Sequence, residues 1–535
     1  MSISTRLVAR LARTLGPVLL LSSSLNLPHP AIEAAAGKTL YYYSGQTLDL
    51  PGPAESATSS GPYGAVFDTL FSPDQRDRLQ PDLALAADHS PDWLTWTLHL
   101  RHGVQWADGQ PFTSADVAYS YRAIVDPAHS NANTAGWDHI DRLTTPDRYT
   151  VVCHLRSTYG PFLNEVGFGN VILPQHVFDK AGIDYNAPPL AAKAIGTGPY
   201  TIAAWDPNTA VTLVPNPHSW RGQPAITQIQ IKSSPVYTRT PFRAGDSALS
   251  FEQAAPYPVL RSGYTLYTYD ANTLLHVELK QWGFLRDRLV RQALDYATPK
   301  ETVTRLGAAA YADVDPAMID FYDHSLPRHA YSLATAAALL ARDGFIRGPG
   351  GILRRGGQPL AIGLDTTYSP STGGSLALAM ARSWGLLGIK VAFNATFSGY
   401  GSPSGLFGSA GPQFTPGMTA IVVQVSNGND PDDSYYWNSA SIPKQRGGFG
   451  NVVAFFHPFA FQTRIDALTN AGLSAPDPAS RRLIYAQIQS LVANEVPWIF
   501  VRWLPYRLLA PSGISGIQPN GFNNLFWNVA AWRGR

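Results

Sequence analysis

Residues 95–100 alternate in character, with Trp96, Leu98 and Leu100 falling between Thr95, Thr97 and His99. A period of two puts the three apolar side chains on one face of a strand. Asp108-Gly109 follows; glycine tolerates positive φ, so the chain folds back there in a hairpin or wide turn. The period then changes. Val117, Tyr121 and Ile124 recur at i, i+4 and i+7, which predicts a helix with one apolar face. Thr113-Ser114-Ala115-Asp116 fits its start, the threonine hydroxyl accepting from free backbone N–H groups. Similar switches recur downstream. Residues 334–344 form an Ala/Leu-rich stretch stopped by Gly344, and Asp477-Pro478 caps a long helix with Ile484, Ile488, Leu491 and Glu495 on one stripe. Thr298-Pro299-Lys300-Glu301 reads as another helix start, with proline at the first position and glutamate closing a capping box. Strands and helices that alternate in this way predict an α/β architecture. No repeat of solenoid length is present, and low complexity is confined to short Gly/Ser/Pro loops such as 399–411.

A chain of 535 residues exceeds what one hydrophobic core sustains and is expected to divide into two or three lobes. Charged residues make up 15% and aromatic residues 11%, enough rings to fill a large core and still line a cleft. The formal charge is +2, but residues 1–36 carry Arg6, Arg10 and Arg13 against Glu33, so the remainder sums to about zero. With its basic residues scattered, the chain has no electrostatic reason to bind nucleic acid. Those three arginines, the apolar run 15–21 and Ala34-Ala35-Ala36 have the layout of a cleaved export signal over 1–36. The apolar run falls short of the about 20 residues a membrane anchor needs. Cys153 is the only cysteine, which excludes a disulfide and a cysteine-based metal site. It also lies too far from the signal to be a lipidated first residue. The expected location is therefore the periplasm.

Signatures of catalysis are missing. Neither Gly-x-Ser-x-Gly nor His-Glu-x-x-His occurs, so no nucleophile elbow or zinc helix is encoded. The glycines at 196 and 198 lack the Lys-Ser/Thr of a phosphate loop. His99 and His102 suit a solvated strand end better than a metal site. Paired carboxylates for glycoside cleavage stay open, because their separation is a three-dimensional quantity. No catalytic residue, cofactor or metal is assigned.

Ordered motifs carry the strongest signal. Leu100-Arg101-His102-Gly103-Val104-Gln105-Trp106 runs into Asp108-Gly109-Gln110-Pro111-Phe112-Thr113-Ser114-Ala115-Asp116-Val117. Further on come Gly196-Thr197-Gly198-Pro199-Tyr200, Asn216-Pro217-His218-Ser219-Trp220-Arg221-Gly222 and Val290-Arg291-Gln292-Ala293-Leu294. Gly388-Ile389-Lys390-Val391 and Val496-Pro497-Trp498-Ile499-Phe500-Val501 complete the series. This order resembles the family 5 extracellular solute-binding proteins, the dipeptide/oligopeptide-type receptors of ABC importers, from about residue 60 to 505.

The resemblance implies an α/β, two-lobed periplasmic-binding-protein-like fold of type II, enlarged by an extra subdomain. Lobe I would comprise 37–71, 194–285 and 501–535, its inserted subdomain 72–193, and lobe II 286–500. A monomer would hold a peptide or small-molecule ligand in the interlobe cleft, close on it, and deliver it to permease subunits at the inner membrane. Relatives read a peptide's α-amino group with an aspartate in a Trp-x-x-Asp-Tyr-x-Asp-Pro-type loop. The corresponding segment here is 424–437, with Asp430-Pro431 matching the Asp-Pro. Gln424 then replaces the tryptophan, and Asn427 takes the amine-reading position without a charge to neutralise an ammonium. The ligand-binding residues expected are Tyr43, Ser44, Gln424, Asn427, Asp430, Tyr435 and Trp437. Asp432 and Asp433 are expected to serve as caps and turn residues. Besides a peptide, an oligosaccharide, an opine-like conjugate, a metal chelate or haem stays open as the solute, and a secreted hydrolase as the other class.

Overall fold

The computed structural model describes residues 39–44, 63–128, 134–180, 194–206, 209–233, 248–251, 263–366, 374–395, 411–522 and 525–534. The proposed export signal, most of the 399–411 loop, and the side chains of Tyr43 and Ser44 lie outside this set. No helix among the described residues is long and apolar enough to cross a membrane.

Two long antiparallel strands, Tyr264–Leu279 and Trp498–Pro511, run through the centre of an 11-stranded sheet. At roughly 3.3 Å per residue each is about 50 Å long, far more than one core requires, and they serve two. The pairs from Tyr264/Pro511 to Asp270/Pro505 belong to the first half-sheet. There Ala248–Phe251, Thr39–Ser44, Gln228–Ser233, Ala210–Pro215 and Tyr200–Asp206 follow in order. The pairs from Thr273/Leu504 to Glu278/Trp498 belong to the second, beside Thr419–Ser426, Ala361–Thr366 and Lys390–Ala395. Between the halves the register slips at Asp270/Thr273, and Asn272 adopts φ +47°. A bulge leaves residues out of the ladder and bends the strand. The sheet is therefore most deformable where its halves meet.

Each half carries its own core. Leu40, Val211, Leu213, Ile229, Ile231, Leu508 and Trp532 cluster in the first; Leu275, Val277, Leu364, Met380, Trp384 and Ile499 cluster in the second. The opposite face of the second half is covered by Trp437, Phe459, Tyr485 and Ile488, packed on Trp498 and Phe500. A third core lies under a separate four-stranded sheet, Ala84–His89, Thr95–Leu100, Thr150–Leu155 and Ile140–Asp147. Trp96, Leu98 and Leu100 point into it, as their alternation predicts. The turn after them closes on Gly109 at φ +84°, with one bridge between Gln105 and Pro111. Helix Ser114–Val125 begins with a full capping box, Thr113 accepting from backbone N–H and Asp116 reaching back. Cys153 is buried in the same core, its thiol pushed up to about 12 by burial.

The ordered motifs meet at the joint between this third body and the first half-sheet. Arg221 bridges Asp68 and Asp82, while Trp220 Nε1 and Thr197 Oγ1 both donate to Asp68 Oδ2 at 2.9 Å. Arg101 donates to the Asp82 carbonyl and lies 4.1 Å from the Trp220 ring, with Arg221 at 4.2 Å. Asn216 Nδ2 donates to the Gly198 carbonyl. A Cβ on Gly196 would fall 1.8 Å from the Val66 carbonyl oxygen, so only glycine lets these backbones approach. Three motifs, the first more than 90 residues from the other two, thus form one buried, charge-paired joint, and their role is architectural. Arg291 is likewise structural: buried, it donates to the carbonyls of Leu285, Arg286 and Glu495.

One local expectation is corrected. After Thr298 the chain forms a 3-10 helix, Lys300–Leu306, with no side-chain cap. The Thr298 hydroxyl instead donates back to the Leu294 carbonyl at 2.7 Å. That bond turns the hydroxyl back toward the preceding turn, away from the backbone N–H groups it would cap.

Candidate functional site

Strand Thr419–Ser426 ends opposite the sheet's bulge, Ser426 pairing with Thr273. The loop that follows, 427–433, is tied to every body of the molecule. Asn272 Nδ2 donates to the carbonyls of Asn427 and Gly428, and Asn427 N donates to the Asn272 carbonyl at 3.0 Å. The Asn427 side-chain amide donates to the Asp313 carbonyl. Asn429 Nδ2 reaches the Phe522 carbonyl of the C-terminal segment at 2.7 Å. From the four-stranded body, Asn164 Nδ2 donates to the Asn429 carbonyl at 2.8 Å and to Asp430 Oδ2 at 3.1 Å. Arg481 holds Asp430 bidentately, Nη1–Oδ2 2.9 Å and Nη2–Oδ1 2.5 Å, with 4% and 5% of the two residues exposed.

Carboxylates crowd this junction. Asp432 accepts from Ser434 N and Oγ, a turn role as expected. Asp433 is different: it stands at the head of the short helix Ser434–Trp437 but makes no side-chain cap. Its carboxyl is buried against that of Asp313, which accepts from Trp437 Nε1. Burial raises both, and the neighbour lifts Asp433 further. Two facing carboxyls cannot both ionise away from water, so the pair keeps a proton. Asp77, whose φ is +59°, is raised well above the usual range by burial and then by Asp430, Asp315 and Asp74. Glu165, on helix Phe162–Phe168, is pushed up to about 7 by burial and then by Asp430, Asp432 and Asp138. Among the described residues, no group of three His, Cys, Asp or Glu side chains is placed to hold a metal ion.

Glu165 gives the junction a pH dependence. Its carboxyl binds a proton more tightly here than at the usual 4.5. The stabilising effect of that proton is complete below pH 4.5 and is lost as pH rises through 7. The interval corresponds to at most about 3 kcal/mol. The charged groups facing it are Asp430 with its partner Arg481, Asp432 and Asp138, and the Tyr159 phenol is also near. Raising pH from 6 to 8 is expected to lower the melting temperature. Glu165→Gln is expected to flatten that slope; a parallel slope in the variant would count against the assignment.

The expected ligand-binding residues are distributed unevenly. Asn427 and Asp430 sit in the junction. Gln424, half-buried, lies opposite Leu275 just before it. Tyr435 is 49% exposed and packs edge-on against Tyr436. Trp437 is fully enclosed, 4.6 Å from the Trp498 ring and bonded to Asp313; it packs the core in place of the ligand-binding role expected of it. Tyr43 and Ser44 pair with Lys232 and Ser233 at the end of the first strand, in the other half-sheet. Sequence reading missed Asn272, Asp313, Arg481, Asn164, Glu165 and Asp77. The first four meet the loop from 51 to 266 residues away, and no local pattern marks them.

Two half-sheets sharing two long, bulged strands, with a polar junction at their meeting, define a two-lobed solute-binding protein. Residues 78–446 match the model of the middle portion of the bacterial extracellular solute-binding proteins, family 5. The chain belongs to this family, an ABC-type substrate-binding class. It is 28% identical over 451 residues to protein XP55 of Streptomyces lividans, covering 82% of this chain and 78% of that one. The oligopeptide-binding protein AppA of Bacillus subtilis, solved with a nonapeptide, superposes with a TM-score of 0.71 at 20% identity, covering 93% of this chain and 99% of that one. NikZ of Campylobacter jejuni, solved with Ni(L-His), gives 0.74 at 19% identity over the same shares. These likenesses carry the fold.

Proposed function

We propose that this chain is the periplasmic binding protein of an ABC importer, a monomer that captures a peptide or peptide-like solute between its lobes and passes it to the permease. The first lobe takes about 37–71, 194–271 and 505–535, with 72–193 as the subdomain, and the second takes about 272–504, because Leu275, Val277, Leu285 and Val501, expected in the first lobe, pack in the second core. The observation that carries the reading is the slip at Asp270/Thr273, a flexible seam between two independent cores with the 427–433 loop beside it. Closure on a solute needs such a seam.

A second reading, a solute without a free ammonium, draws support from the same loop. Asn427 is neutral and its amide is engaged with Asp313. Asp430 is neutralised by Arg481, and burial with the facing Asp313 holds Asp433 toward its neutral form. A buried ammonium needs a carboxylate of its own, and among the described residues Asp432 is this loop's one carboxylate neither paired with a cation nor facing another buried carboxyl.

Native mass spectrometry of protein purified from its own host would give the mass of any co-purifying solute. A thermal-shift series with tripeptides and their N-acetyl forms would follow, because a ligand specific to the folded state raises the melting point. Equal shifts for both forms would favour a peptide held without its amine. A shift abolished by acetylation would overturn the second reading, and no shift with any peptide would overturn the first.

A further inference from the structure

We propose that the four-stranded body is the clasp of the closing movement: it is fixed to lobe I and grips lobe II through breakable polar contacts that set how long the closed state lasts. This rests on solute capture by lobe closure, and it assigns the inserted body a part in that movement.

The two sides of this body are built differently. Toward lobe I it is joined by the buried Arg221–Asp68–Asp82 joint, and its core is continued by Ile195 and Trp220. Such a joint does not open without exposing unpaired buried charge. Toward lobe II, no buried apolar cluster among the described residues connects the two cores. Among the described residues, besides the facing acids Glu165, Asp77, Asp430 and Asp432, three hydrogen-bonded contacts cross there. Arg78 forks onto Asp320, Nε–Oδ2 3.0 Å and Nη2–Oδ1 3.2 Å, with side chains 48% and 44% exposed. Arg482 approaches the same residue, donating to the Asp320 carbonyl at 2.7 Å. Asn164 holds the 427–433 loop. Gly160 N donates to the Leu473 carbonyl at 2.6 Å, and a Cβ at Gly160 would lie 2.4 Å from the Ala475 oxygen.

Exposed ion pairs and single hydrogen bonds are worth little each. They are suited to a contact that must form and break, as polar interdomain interfaces do. Water replaces their partners when the lobes part. A buried apolar seam would instead resist opening.

Amide exchange in the intact, solute-free chain tests this, because the Gly160 N–H is protected only while the clasp is shut. Arg78→Gln and Asp320→Asn are each expected to speed Gly160 exchange about two- to fivefold. The double variant should go little further, since both remove one interaction. High salt should mimic them. Arg76→Gln, an exposed neighbour on the same turn, should change nothing, and protection of strand Thr150–Leu155 should persist in all variants. An unprotected Gly160 in the parent chain, or protection indifferent to both substitutions, would overturn the clasp. Because no solute is present, that outcome leaves the capture reading standing, and failure to find a solute leaves the exchange result standing.

Discussion

Arg221→Met is expected to destabilise the fold by at least about 3–5 kcal/mol, the cost of leaving buried charge without its partner. The size follows from the joint's construction. Among the described residues, Arg221 is the one side chain bonded to both the Asp68 and Asp82 carboxylates, which are 3% and 6% exposed. Burial already holds Asp82 above the usual carboxylate range with Arg221 beside it. Without the guanidinium both carboxyls must take up protons or draw in water. The loss measured by urea unfolding should therefore be largest at pH 8 and shrink toward pH 5, as protonation removes the uncompensated charge. Arg221→Lys should recover little, because an ammonium cannot fork between two carboxylates while lying against the Trp220 ring. A loss under 1 kcal/mol at pH 8, or one independent of pH, would mean that the joint is wetter and weaker than described.

Arg481→Met should cost a similar amount, about 3–5 kcal/mol, for a different reason. Arg481 neutralises Asp430 inside a crowd of acids, where Asp430 already repels Glu165, Asp77 and Asp432. Removing it exposes these groups to Asp430's full charge. The substitution should therefore loosen the 427–433 loop as well as lower the melting temperature. A paired change, Arg481→Met with Asp430→Leu, should restore most of the lost stability, because it deletes both charges together. If the double variant is no better than Arg481→Met alone, the buried pair is not the source of the loss. Solute affinity measured on the paired variant would then separate Asp430's part in recognition from its part in folding.

Local elements were readable wherever one segment contained its own reason. The 95–100 strand, the Gly109 turn and the Thr113 capping box each follow from neighbours within a few residues. Reading failed where a distant partner outbid the local one. Thr298 bonds to the preceding turn and caps nothing. Asp433 is drawn to Asp313. Trp437 is claimed by the core around Trp498. The motif glycines and arginines could be recognised as a set, yet nothing in their spacing shows that Arg101, Thr197 and Arg221 converge on Asp68 and Asp82.

From the amino-acid order alone came the α/β class, the division into lobes as an expectation and the family's signature, because periodicity, turn chemistry and motif order are properties of short segments. The tertiary structure alone decided which charges are paired, which acids burial holds toward their neutral form and where the seam lies. These depend on groups brought together from about 50 to more than 260 residues apart, and on how much water their meeting excludes. Burial and proximity set the energy of a carboxylate far more than its sequence neighbours do.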